Sequence, residues 1–151
     1  MAASPSDAPP LIQTHIRVGW WSLALFLSLG FLLEVLHGFK IGFYLDVGNE
    51  QRRLMWTLAH AHGALLGLVH LAFGLSLQVA PTLGGARQSL ASRCMRIATV
   101  LLPGGFFLGG VWVDGRMAAV GFLLVPVGGA VLATAIFLVA RSVAQAREPS
   151  S

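Results

Sequence analysis

The chain has 151 residues, of which 56% are hydrophobic and only 11% charged, with a mean hydropathy of +0.76. Soluble domains carry about 25% charged residues, so this composition argues against a water-soluble fold, and its high hydrophobicity excludes intrinsic disorder. Ten Lys and Arg against six Asp and Glu give a net charge of +4, but the basic residues form no run that could track a nucleic-acid groove, and no nucleic-acid partner is expected. The single cysteine, Cys94, excludes an internal disulfide framework and a Cys-based zinc site. The length suits one domain.

Residues 1–16 are small, polar and Pro-rich and read as a loose N-terminal tail. They lack the basic start and small-residue cleavage site of a secretory signal, so the first apolar run is read as retained. A membrane crossing needs roughly 20 apolar residues. Four stretches qualify, over 18–38, 55–80, 97–113 and 117–140, and the only Asp, Glu, Lys or Arg inside them is Glu34. The expected fold is an all-α integral membrane protein, a four-transmembrane-helix bundle over 17–142 with a C-terminal tail over 143–151. Between the spans, 38–53 is an amphipathic loop suited to the interface, 81–96 a polar hairpin loop and 114–116 a tight turn. One side of the membrane holds Arg17, Arg87, Arg93, Arg96, Arg141 and Arg147, the other Lys40, Arg52, Arg53 and Arg116. That bias places both termini in the cytoplasm. Trp20 and Trp21 then mark one interface, Trp56 and Trp112 the other. The expected location is a bacterial inner (cytoplasmic) membrane, and Arg87 to Arg96 can touch anionic headgroups of its lipid.

The third and fourth spans hold small residues rather than polar ones. Gly105 and Gly109 form a GxxxG pair, which favours close helix packing. Pro103 and Pro126 are expected to bend these helices. The reactive groups cluster in the first two spans. Glu34 and His37 are three apart and share a helix face. At about 100° per residue, His60, Gly63, Gly67, His70 and Gly74 fall within about 80° of one another, while His62 points roughly 160° away from His60. A stripe of glycines beside a histidine leaves room for a flat macrocycle or for a close partner helix. Two imidazoles within one apolar helix are costly without a role, which makes His60 and His62 the leading site candidates. His70 and His37 can equally be packing or headgroup residues. His60 and His70 lie about 15 Å apart along the helix and cannot ligate one iron together.

The segment Ala59-His60-Ala61-His62-Gly63-Ala64-Leu65-Leu66-Gly67 resembles the Ala-His-x-Gly-Pro-Ala-Leu-Asn-Gly of styrene oxide isomerases and the Ala-His-x-Glu-Gly-x-x-Asn-Gly of hydroxylaminobenzene mutases. His37-Gly38-Phe39-Lys40-Ile41 is similar to the isomerase's Gly-Gly-Phe-Glu-Ile, and Gly105-Phe106-Phe107 to its Gly-Phe-Tyr. The resemblance implies a four-helix protomer, a homo-oligomer that is a trimer, and haem b between protomers. It puts His60 at the position of the axial iron ligand; Gly63 and Gly67 of the glycine stripe, and the additional His62, are then expected beside the cofactor. It implies an intramolecular isomerase in which ferric iron acts as a Lewis acid on a small apolar epoxide. The sequence departs from the pattern where it matters chemically: the motif's Asn is Leu66 here, the third-helix Tyr is Phe107, and the Glu of the mutase motif is His62.

Three other functions are compatible with the residues. Two imidazoles closing one iron would make a non-catalytic electron-transfer or haem-sensing subunit. Glu34 could serve a small proton-coupled transporter. Glu34, His37, His60 and His62 could together hold zinc, iron or copper. Ser22, Ser28 and Ser76 have no His and Asp at triad spacing, and the chain has no Walker loop or dinucleotide fingerprint.

Overall fold

The computed structural model describes residues 8–45, 50–79, 85–112 and 116–145. These form α1 (Ala8–Gly38), a one-turn α2 (Gly42–Leu45), α3 (Glu50–Val79), α4 (Gly85–Val111) and α5 (Arg116–Gln145). No strand occurs among the described residues. Four helices, α1, α3, α4 and α5, are long and apolar enough to cross a membrane.

Three of the helices reach well beyond the apolar runs. α1 begins at Ala8, so residues 8–16, expected in a loose tail, form its first turns. Pro9 and Pro10 are tolerated there because the first-turn N–H groups have no partner within the helix. Leu11 and Ile12 pack against the core cluster of Phe73, Leu77, Ala91, Met95 and Ala135, which fixes this start. α4 begins at Gly85, which replaces most of the expected 81–96 loop with helix. Its first turns are amphipathic: Ala91, Ser92 and Met95 are buried while Arg93 and Arg96 are exposed. A search for uncharged runs misses such turns, because the arginines lie on the outward face. α5 likewise continues to Gln145, past the expected start of the C-terminal tail. The 114–116 turn falls largely outside the described residues.

α1 ends in a Schellman arrangement. The Ile41 N–H donates to the Leu36 carbonyl at 3.0 Å and the Lys40 N–H to that of His37 at 3.1 Å. Lys40 takes the left-handed conformation (φ 52°) that this cap requires. Glycine adopts it without the Cβ penalty. Lys40→Gly is therefore expected to stabilise the fold by about 0.5–1 kcal/mol, read as a higher midpoint of thermal unfolding.

Extensive packing joins α1 to α3, α3 to α4 and α4 to α5. Glycines set two of these seams. On α4 and α5, a Cβ on Gly121 would stand 2.7 Å from the Gly109 nitrogen and 2.8 Å from the Gly105 carbonyl oxygen. The GxxxG pair is thus a contact for α5, as its spacing predicted. On α1 and α3, a Cβ on Gly67 would stand 3.0 Å from the Gly19 carbonyl oxygen. At the far end of the bundle Arg52 ties α3 to its neighbours. Its Nε–H donates to the Gly110 carbonyl at the end of α4 (3.2 Å), and an η-nitrogen donates to the Phe43 carbonyl (3.0 Å). A cation there also suits the negative end of the α4 dipole. Trp56 donates from Nε1 to the Phe107 carbonyl at 3.2 Å and covers Gly110.

Candidate functional site: the imidazoles of the helix seams

The stripe of His60, Gly63, Gly67, His70 and Gly74 is the face of α3 that α1 covers. Residues of α1 at the matching spacing, His15, Gly19, Ser22, Phe26 and Gly30, form the other half of the seam, and large meets small along it. The Phe26 ring fills the space over Gly63, the His60 ring fills the space under Gly30, and Ile16 packs on Gly74. The Ser22 hydroxyl donates to the Gly63 carbonyl at 3.0 Å. Of the two occupants that the stripe allowed, the close partner helix is the one present. Gly63 and Gly67 therefore leave no room for a macrocycle within this seam.

His60 is half-buried, and its Nδ1 lies 2.6 Å from the Phe26 carbonyl oxygen. A carbonyl only accepts, so Nδ1–H donates and the neutral ring keeps its lone pair on Nε2. His62 faces the other way. Its Nδ1–H donates to the Leu58 carbonyl at 2.9 Å, and its ring lies 4.7 Å from that of Phe106 on α4. The opposed directions of His60 and His62 agree with their helical spacing. One chain does not bring both to a common iron.

His70 has a partner that sequence reasoning missed. His15 of α1 is completely buried, as is His70, and their Nδ1 atoms are 2.6 Å apart. The rings stack at 4.8 Å, with Phe73 edge-on to His15 at 4.6 Å. His15 Nε2 lies 2.8 Å from the Ser92 hydroxyl, and His70 Nε2 lies 2.8 Å from that of Thr99. Proton positions follow from one end. The Thr99 hydroxyl donates to the Met95 carbonyl at 2.9 Å, so its oxygen accepts from His70 Nε2–H. A neutral His70 then accepts at Nδ1 from His15, and His15 accepts at Nε2 from Ser92. Both rings are neutral in this assignment and each ring nitrogen has one partner, as buried polar groups in an apolar medium require. The junction links α1, α3 and α4. The signal for it is present in the chain: His15, Gly19, Ser22, Phe26 and Gly30 recur at helical spacing, but His15 lies in the stretch whose small, polar, Pro-rich composition reads as a tail.

Glu34 and His37 are exposed at the opposite end of α1. With Tyr44, Glu50, Arg53 and Thr57 they line an open cleft of about 590 Å³. His60 and His62 do not line it. Among the described residues no three His, Cys, Asp or Glu come within reach of one metal ion, so the four-ligand site of Glu34, His37, His60 and His62 is not formed within one chain. Leu66 is buried, and Phe107 stacks on Trp56 at 5.8 Å. Neither offers a hydrogen bond where the isomerase motif has Asn and Tyr.

No family model, curated protein or solved structure matches the chain.

Proposed function

We propose that this four-helix chain is a haem-b-binding membrane protein in which His60 Nε2 is the axial ligand. The observation that supports it is the hydrogen bond from His60 Nδ1–H to the Phe26 carbonyl. A carbonyl that accepts from the other ring nitrogen fixes the tautomer of metal-binding histidines and raises their basicity. Nε2 itself packs under Gly30, 2.9 Å from where a Cβ there would stand, so a macrocycle would reach it only if α1 yields at Gly30; the motif resemblance implies a site between protomers. Haem held there would supply a Lewis acid, suited to rearranging a small apolar epoxide. The chain's own part is to orient the imidazole through Phe26 and to keep water away with apolar helices. Leu66 and Phe107 provide no polar partner for a substrate oxygen. Closure of the iron by a second imidazole of the same chain has no support, because His62 turns to α4 and His70 is engaged with His15.

The test is the ultraviolet–visible spectrum of the detergent-purified protein from haem-replete cells. The expected result is a Soret band that disappears in His60→Ala and persists in His62→Ala. A colourless wild-type preparation, or a band indifferent to His60→Ala, overturns the reading.

A further inference from the structure

α1 and α4 meet at the His15–Ser92 bond, and beyond it a long apolar groove lies between them. Its halves, of about 530 and 510 Å³, share Leu25, Phe26, Pro103 and Gly104. The walls are two regular stripes. On α1, Arg17, Trp21, Leu25, Ser28 and Leu32 fall within about 80° of the helix circumference, and on α4 so do Arg93, Arg96, Val100, Gly104 and Phe107. Each stripe opens with arginine at the same end of the bundle and is almost wholly apolar beyond it. Arg17 lines the groove itself. Arg93 and Arg96 line an adjoining cavity of about 500 Å³ that shares Val100 with it. All three arginines are exposed. The described carboxylates, Glu34 and Glu50, lie at the other end of the bundle, in the cleft beside Tyr44.

We infer that this groove is a binding site for one anionic phospholipid, its phosphate against Arg17, Arg93 and Arg96 and one acyl chain along the groove. Charge complementarity selects the occupant. Three exposed arginines without a described carboxylate beside them call for an anion, and the apolar walls that continue from them call for a hydrocarbon chain on that anion. Basic pockets between membrane helices bind anionic headgroups in this way. The length fits: Arg17 to Leu32 spans about 22 Å at 1.5 Å per residue, room for a full-length acyl chain. Gly104 keeps the middle of the groove open, since a Cβ there would meet nothing within 4 Å. His60 does not line the groove, although the two share Phe26, and the variants below change neither His60 nor Phe26, so the two proposals can fail independently.

Native mass spectrometry of the detergent-purified full chain, with dioleoyl phosphatidylglycerol or dioleoyl phosphatidylcholine added, tests the site. The wild type is expected to retain one phosphatidylglycerol with roughly tenfold preference over phosphatidylcholine. The triple variant Arg17→Gln, Arg93→Gln, Arg96→Gln should lose that preference. Gly104→Leu should weaken retention of phosphatidylglycerol about tenfold at unchanged helical content, because it fills the groove without touching the arginines. Equal retention of the two lipids by the wild type overturns the inference. So does phosphatidylglycerol binding that is indifferent to Gly104→Leu, binding of palmitate in place of phosphatidylglycerol, or a groove occupied by a second copy of the chain, seen as a lipid-free dimer that Gly104→Leu dissociates.

Discussion

His70→Leu is expected to destabilise the protein by about 1–3 kcal/mol, the range for leaving a buried donor unsatisfied. Leucine nearly matches imidazole in volume, so no large cavity opens. The loss arises because His15 Nδ1–H, now facing a methyl group, has no acceptor in the completely buried junction. Adding His15→Leu removes the orphaned donor. Ser92 and Thr99 can then turn to carbonyls one helical turn back, as Thr99 already does toward Met95. The double variant should therefore be no less stable than His70→Leu alone, a coupling of about 1.5–3 kcal/mol between sites 55 residues apart. Reversible unfolding of the four proteins in mixed micelles measures it. Interhelical hydrogen bonds in membranes average about 0.6 kcal/mol in such cycles, so a coupling near that value would mean that the junction behaves as ordinary membrane polar packing. Additive effects of the two substitutions would refute the coupled network.

The second large effect concerns a single methyl group. Gly121→Ala places a Cβ 2.7 Å from a backbone nitrogen and 2.8 Å from a backbone oxygen of α4. Neither can swing aside, so the helices must separate, and overpacking of this kind costs about 1–3 kcal/mol. Separation also loosens the neighbouring contacts of Gly105 with Leu124 and Val125, which pushes the expected cost toward the upper end. Gly129→Ala on the same helix is the matched control. A Cβ there meets nothing within 4 Å. Removal of a mid-helix glycine should then stabilise by about 0.5–1 kcal/mol. Opposite signs for the two substitutions in thermal unfolding are the expected result, and equal signs would show that helix propensity rather than the seam sets the outcome.

The four long apolar helices were legible because a helix able to cross a membrane needs uninterrupted apolar length, and Glu34 is the only formal charge inside the predicted runs. Their true ends were not. The first turns of α4 carry Arg93 and Arg96 on one face and Ala91, Ser92 and Met95 on the other, and a count of charges along the chain cannot see faces. The glycine–histidine stripe of α3 was visible as a pattern, but its occupant was not. The same spacing serves a cofactor or a helix, and the choice depended on the complementary pattern in α1. His15 stayed hidden for the same reason: it belongs to that second pattern, in a stretch that composition alone reads as a tail. His62 pointed away from His60 as the 100° rule requires.

The extensive seams, α1 with α3, α3 with α4 and α4 with α5, each join spans that are consecutive in the chain. Such a protein can assemble in the order in which it is made, each new helix docking on the one before it, with little loop-closure cost at any step. The His15 junction is the exception. Its bond to Ser92 crosses from the first long helix to the third, so the imidazoles stay incompletely partnered until α4 has entered. A hairpin of α1 and α3 alone would leave the Nε2 of each buried imidazole without its partner, an unmet polar demand that docking of α4 relieves.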